Sequence, residues 1–444
     1  MAKNLTQGRI FTQLIAFSLP YFLACFLQTF YGVADLFIAG QFNGPSTITA
    51  IHIGSQIMHM ITLMIAGMAM GTTVLAGRAF GAGDQEQLSA AIGTSITLFA
   101  GIAVILMSCG LICVDQMAAI LQTPPEALRE TIQYSSLCFL GIPFISAYNV
   151  IAATCRGLGD SRHPLLFVAV GGIFNIILDY ILIGPCALGA AGAAWATVIA
   201  QGITVIFALF IMHRHNPGIR ITRKTLRIQR NTLSNIVSVG LPTASQDAFI
   251  QITFLFITAI ANARGLEIAA SVGIVEKLIC FFFLVPSAML ASVSAMAAQN
   301  RGAQKHDRSR AVLRYGILTC TAYGAIIGIA CQFISPWLIG FFTTDPSVIR
   351  YGAQYLRTYS FDVLFAGIHF CFSGYFCAYS KAGWAFIHNV FSSITTRIPG
   401  TWIASVCFPL TLMPMGMAAP LGSIVSALIC VLIYRHYRNN FISC

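Results

Sequence analysis

The polar and apolar positions of this chain alternate on a scale far longer than one helical turn. Apolar runs, each about long enough for the roughly 20 residues of a bilayer-crossing helix, are separated by short polar breaks. They fall at 12–39, 48–76, 90–114, 131–153, 164–184, 187–212, 233–262, 268–298, 312–340, 350–379, 385–410 and 415–434. The pattern predicts an all-α membrane protein with twelve transmembrane helices. The longest hydrophilic break lies between Met212 and Leu233, after the sixth run. It predicts an N-terminal lobe over 1–213, a basic cytoplasmic linker over 214–232 and a C-terminal lobe over 233–444.

The two halves repeat each other. Ser18-Leu19-Pro20 opens the first run and Gly240-Leu241-Pro242 opens the seventh, an offset of 222 residues. Phe80-Gly81-Ala82 matches Arg301-Gly302-Ala303 at an offset of 221. Thr123-Pro124-Pro125 matches Thr344-Asp345-Pro346 at the same offset, which also sets Tyr134 on Tyr355. A shared register of half the chain length marks an internal duplication. With an even number of spans per repeat, the two six-helix lobes are expected to be related by a pseudo-two-fold axis along the membrane normal, facing each other across a cleft.

Composition agrees. Of the 444 residues 57% are hydrophobic and 9% charged, and the mean hydropathy is +0.79; soluble domains carry about 25% charged residues. No cleavable signal peptide is expected, because the run that follows Lys3 and Arg9 continues for a full span. The net charge of +11 reads as basic cytoplasmic loops, with no role in nucleic-acid binding. With the N-terminus inside, nineteen of the 25 Lys and Arg fall on the cytoplasmic side, Arg220, Lys224 and Arg438 among them, and Arg129, Arg264 and Arg350 fall outside. That bias predicts a multi-pass protein of a bacterial plasma membrane with both termini cytoplasmic. The 14 Cys include no Cys-x-x-Cys pair and read as free thiols acting as small core hydrophobes.

Five acids fall inside the apolar runs: Asp35, Asp179, Asp247, Glu276 and Asp362. An acid at such a position faces protein or water rather than lipid and marks an ion or proton site by default. Asn175 and Asp179 are four apart and share one helix face. Thr197, ten residues into the sixth run, can either hydrogen-bond back to its own helix or complete an oxygen cage with Asp35, Asn175 and Asp179. Sodium takes several oxygen ligands, whereas a proton takes one carboxylate; the residues leave both open. In the second half, Asp247 lies near the start of its run. Glu276 and Lys277 are adjacent, roughly 100° apart on a helix, and so need partners elsewhere. Arg357, Asp362 and Arg397 are the candidates for a structural or gating ion-pair network. Prolines 20, 143, 242, 286 and 399 lie within or at the start of runs. Pro20, with Gly32 beyond it, makes the first helix a bending element. The Met and Phe content reads first as lipid-facing bulk, and Met, Phe and Tyr on cleft-facing helices would suit apolar cations. His52 and His59 read as packing residues. With no His-Glu-x-x-His, no paired His/Cys metal spacing and no Gly-x-Ser-x-Gly, the chain is not expected to be an enzyme.

Over essentially its full length the chain resembles the multidrug and toxic compound extrusion (MATE) family. The resemblance rests on the two six-span repeats with Leu-Pro openings, on Asp35, and on four motifs. These are Gly77-Arg78-Ala79-Phe80-Gly81-Ala82-Gly83, Ala297-Ala298-Gln299-Asn300-Arg301-Gly302-Ala303, Arg156-Gly157-Leu158-Gly159-Asp160 and Asn175-Ile176-Ile177-Leu178-Asp179. It implies a monomeric secondary antiporter that expels amphipathic, mostly cationic compounds in exchange for H+ or Na+, with no other cofactor. The family's first-lobe cation site maps onto Asp35, Asn175, Asp179 and Thr197, with Tyr31 and Tyr134 as lining residues. One branch also uses a seventh-helix Glu and a tenth-helix Asp. Here Gln251 lies near the former position and Asp362 could correspond to the latter. That departure favours first-lobe coupling, as in the DinF-like and related bacterial branches. The alternative is a lipid-linked oligosaccharide flippase of the wider superfamily, which should show extra spans and a cleft rich in cationic residues.

Overall fold

The computed structural model describes residues 2–215, 222–223 and 225–437. The basic residues Arg220, Lys224 and Arg438 lie outside the described residues. Among those described there are helices and no strands. The helices form twelve spans. The first to third are Ile10–Phe42, Pro45–Ala82 and Gln85–Ile120. The fourth joins Pro125–Leu140 to Ile142–Gly157, and the fifth to seventh are Arg162–Ile183, Gly189–His215 and Arg230–Asn262. The eighth joins Leu266–Phe282 to Leu284–Gly302, the ninth is His306–Gly340, and the tenth joins Pro346–Tyr359 to Asp362–Ala378. The eleventh consists of Ala382–Ser392, a π turn at Ser393–Arg397, and Ile398–Cys407; the twelfth is Met413–Tyr437. Most spans outrun their apolar stretches, and two of them begin on a polar cap. Asp84 accepts from the Gln87 amide at 2.8 Å, and Asp345 from that of Ser347 at 2.8 Å, each satisfying a first-turn N–H that has no helical partner.

Prolines stand at three of the four span breaks; the tenth span bends by 41° between Tyr359 and Asp362 without one. Pro143 follows a 46° bend between the halves of the fourth span. Pro286 opens the second half of the eighth span. The π turn Ser393–Arg397 directly precedes Ile398-Pro399. Proline has no N–H and its ring crowds the carbonyl one turn back, and the wider turn relieves both. Pro20 and Pro242 instead lie inside unbroken helices.

The chain divides into two compact units, and the division differs from the expected linker. One unit contains Met1–Asn4 and Leu19–Gly240; the other contains Leu5–Ser18 and Leu241–Cys444. The first turns of the seventh span belong to the first unit because their backbone is seated there. A Cβ added at Gly71 would lie 2.2 Å from the Ile236 carbonyl oxygen, and one at Gly240 would lie 2.4 Å from that of Met68. Thr97 also donates to the Leu226 carbonyl at 2.6 Å. Two of the three chain exchanges fall immediately before a Leu-Pro pair, Leu19-Pro20 and Leu241-Pro242.

In the second unit, residues 5–18 are held by the end of the eighth span and the start of the ninth. Leu5 is fully buried, and its amide donates to Gln299 Oε1 at 3.0 Å. Lys305 Nζ donates to the Thr6 carbonyl at 2.9 Å. Arg308 donates to the carbonyls of Gln7 at 2.8 Å and Gly8 at 2.7 Å, and to Gln13 Oε1 at 2.9 Å. Basic residues that the charge pattern assigned to topology are therefore also the clasp of the N-terminal segment. Arg308→Ala removes several charge-assisted bonds, each contributing about 1.5–3 kcal/mol. Its expected result is faster amide hydrogen exchange confined to residues 5–13, read by mass spectrometry; unchanged protection there would rule the clasp out.

Candidate functional site

The fifth span carries Asn175 and Asp179 on its buried face, 7% and 0% exposed. The carboxyl groups of Asp35 and Asp179 lie close enough to interact electrostatically. Within the protein, Asp35 Oδ1, both Asp179 carboxylate oxygens and Asn175 Nδ2 are enclosed and have no hydrogen-bond donor or acceptor. Two carboxylates this close repel strongly in a medium of low dielectric, and a shared proton or a metal cation relieves the repulsion. The arrangement can therefore take up a small cation and release it. No cation is needed to build the surrounding helices, whose backbone bonds are internal.

Tyr31 is what brings the first span to the fifth. Its hydroxyl donates to the Val168 carbonyl at 2.6 Å. Its ring sits on Gly172, where an added Cβ would lie 1.8 Å from Tyr31 Cζ. Asp35, one turn beyond Tyr31, is thereby set against Asp179. The tyrosine was expected as a lining residue; its hydroxyl is instead engaged in joining two helices. Tyr134 is buried, 3% exposed, and rests on Gly54, where a Cβ would lie 2.2 Å from its ring. It lies close enough to Asp35 and Asp179 to feel both charges, so it is a wall of the acid site more than a free surface. Thr197 is half-buried, and its hydroxyl donates to the Ala193 carbonyl at 3.0 Å. The back-bond thus takes its proton, and only a lone pair is left for a cation. The Gly171-Gly172 doublet was the missed signal: two glycines inside an apolar helix mark close approaches of neighbouring side chains. A shallow apolar groove between the first and fifth spans, lined by Phe30, Ala34, Phe37, Ile177 and Tyr180, lies on their exposed faces and includes none of the acids.

In the second unit the polar residues sort differently. Asp362, a candidate both for the cleft and for the ion-pair network, is 0% exposed. Arg397 Nη2 donates to Asp362 Oδ2 at 2.7 Å and to Ser423 Oγ at 2.9 Å. Ser423 donates to Asp362 Oδ1 at 2.5 Å. Of the expected ion-pair network, this is the pair that forms. Glu276 takes part in no ion pair among the described residues; the Thr258 hydroxyl reaches both its oxygens at 3.2 and 3.3 Å. Lys277 is exposed, and Gln251 and Pro20 are half-buried. Two histidines that the sequence reading passed over complete a buried polar layer. His369 Nε2 lies 3.3 Å from Ser423 Oγ, and His388 bridges Ser373 at 3.0 Å and Ser426 at 2.7 Å.

A helical membrane protein with two matching halves and acids inside its spans has the architecture of a membrane transporter. The MatE family model matches residues 20–181 and again 242–403, and the chain belongs to that family of membrane transporters. It is 26% identical over 437 residues to the probable multidrug resistance protein YpnP of Bacillus subtilis, covering 98% of this chain and 97% of the relative. It is 25% identical over 417 residues to the multidrug export protein MepA of Staphylococcus aureus, covering 91% and 89%. Among solved structures it is similar to a MATE transporter crystallised in complex with MaL6, with a TM-score of 0.93, 21% identity and complete coverage of both chains. It is also similar to a MOP superfamily transporter from Pyrococcus furiosus, with a TM-score of 0.92, 20% identity and coverage of 99% and 98%. The two family matches are 222 residues apart at both ends, the register seen in the sequence repeats.

The Tyr31–Gly172 seat gives a test of how the site is built. Tyr31→Phe should cost about 1 kcal/mol by losing one hydrogen bond. Gly172→Ala should cost more, about 1–3 kcal/mol, by overpacking. Combining Gly172→Ala with Tyr31→Ala should recover part of that loss, a coupling read from thermal melts as a double-mutant cycle.

Proposed function

We propose that this protein is a secondary antiporter that exports amphipathic, mostly cationic compounds in exchange for H+ or Na+, with access alternating between the two sides of the membrane. The observation that carries this reading is the enclosed Asp35–Asp179 pair with its unfilled acceptors, beside Asn175. When the pair is charged, it favours a cationic substrate nearby. When a proton or sodium ion neutralises it, that attraction is lost and the substrate is released. The functions named for the relatives, multidrug resistance and multidrug export, fit the same cargo class. The coupling ion supplies enough free energy: one charge moved through 100 mV is worth about 2.3 kcal/mol, roughly a 50-fold gradient.

Asp35, Asn175 and Asp179 form the coupling site in this reading, with Thr197 offering a lone pair. The protein works as a monomer in the bacterial plasma membrane, both termini cytoplasmic, as the charge bias of its loops supports. It needs no prosthetic group. The test uses purified protein in liposomes and a fluorescent organic cation, under an imposed pH gradient and separately an imposed Na+ gradient. Transport is expected under one gradient and should fall to the level of empty vesicles in Asp35→Asn, with that variant still folded and inserted. Unchanged transport in Asp35→Asn, or no transport of several organic cations under either gradient, would overturn the proposal.

A further inference from the structure

The repeat register sets the two units side by side residue by residue. At the offset of 222, Asn175 of the fifth span corresponds to Arg397 of the eleventh, Asp35 to Ile257, and Asp179 to Thr401. The second unit therefore has no carboxylate at either acid position of the first. Where the first unit has an amide with an unfilled nitrogen, the second has a guanidinium. Its countercharge, Asp362, comes from the start of Asp362–Ala378, a helical segment that carries no acid at the matching place in the first unit.

This second site is built around the guanidinium. The π turn ending at Arg397 delivers the side chain inward. Gly422 makes room for its stem, since a Cβ there would lie 2.5 Å from Arg397 Cγ. Asp362 and Ser423 close on its Nη2 at 2.7 and 2.9 Å. Thr401, on the next turn, donates to the Arg397 carbonyl at 2.7 Å. The other titratable groups facing this site are His369, 3.3 Å from Ser423, His388, whose ring centroid is 5.5 Å from that of His369, and the buried Tyr355 and Tyr359. Both Asp362 oxygens are satisfied, whereas both Asp179 oxygens are not. One site is filled from within the chain, and the other is left to be filled from outside it.

We propose that Arg397 is a tethered cation occupying a latent cation site formed by Asp362 and Ser423 in the second unit, a site that takes a free Na+ or guanidinium-type ion once the side chain is removed. A buried pair tolerates loss of both charges far better than loss of one, so the vacated carboxylate has a strong demand for a replacement cation. The arginine cannot give up its proton and cannot diffuse away. Asp362 is thereby withheld from exchange with the medium. The consequence for transport, that coupling stays with the first unit, rests on the proposed role of Asp35 and Asp179. The binding of an ion to the vacated site does not.

The test is thermal melting of the purified full-length protein in detergent, with methylguanidinium or Na+ as probes and choline as the ionic-strength control. In Arg397→Gly, one or both probes should raise the melting temperature by several degrees over choline. The wild type and Asp362→Asn/Arg397→Gly should show no such rise. Arg397→Lys, which keeps a tethered charge, should also be insensitive. No probe-specific rise in a folded Arg397→Gly, or an equal rise in the double variant, would overturn the proposal. If Arg397→Gly cannot be isolated folded, the neutral Asp362→Asn/Arg397→Met decides. Its recovery as a folded protein supports charge compensation, and its loss assigns Arg397 to packing. Because these melts need no transport, failure of the antiport assay leaves their outcome readable on its own.

Discussion

A carboxylate enclosed away from water must be compensated, and this protein is arranged around two answers to that demand. In the first unit Asp35 and Asp179 are pressed together, with four enclosed polar atoms of the Asp35, Asn175 and Asp179 side chains left without a partner. The cost of two adjacent charges in a medium of low dielectric is several kcal/mol at least, which is the physical basis of the proposed ion coupling. In the second unit Asp362 has its cation in permanent residence, with Ser423 bonding to both partners. Under the proposed function the first pair is the ion site, while Asp362 with its arginine is a brace. The same duplicated architecture carries one of each.

What holds the first pair together is helix packing rather than polar contact. Tyr31 seats on Gly172 and ties down through the Val168 carbonyl, and Tyr134 seats on Gly54. Small residues that let an aromatic ring approach a helix backbone fix distances more firmly than flexible ion pairs do, because packed interiors leave no room to relax. The acids can then remain unsatisfied without collapsing onto other donors. Backbone strain relief follows a related rule. The fourth, eighth and eleventh spans break beside prolines, and at the eleventh the resulting π turn delivers Arg397 inward. Pro20 and Pro242, in unbroken helices, instead stand just past two of the points where the chain exchanges units.

Much of the fold was legible along the chain. Hydrophobic run lengths marked the twelve spans because a bilayer core has a fixed thickness. The half-length register was visible in short matched triplets, and the family match falls on the same offset. Asp35, Asn175 and Asp179 stood out because polar residues are costly in apolar runs. The role of Tyr31 was not legible, and for Thr197 and Asp362 the sequence offered the observed bond only as one of several alternatives. Tyr31 is committed to a backbone carbonyl, Thr197 to its own helix, and Asp362 to an arginine 35 residues away. Each of these depends on which direction a side chain takes from its helix, and hydropathy carries no such direction.

The sequence by itself determined that this is a membrane-spanning, internally duplicated transporter with acids inside its spans, because span length, repeat register and the cost of buried charge are all one-dimensional quantities. Only the tertiary structure decided which acids remain without a partner and which are neutralised. It also decided that residues 5–18 belong with the second unit through Gln299, Lys305 and Arg308. Partner choice for a buried charge is a matter of a few ångströms between helices distant in sequence, and those distances exist only once the helices have packed.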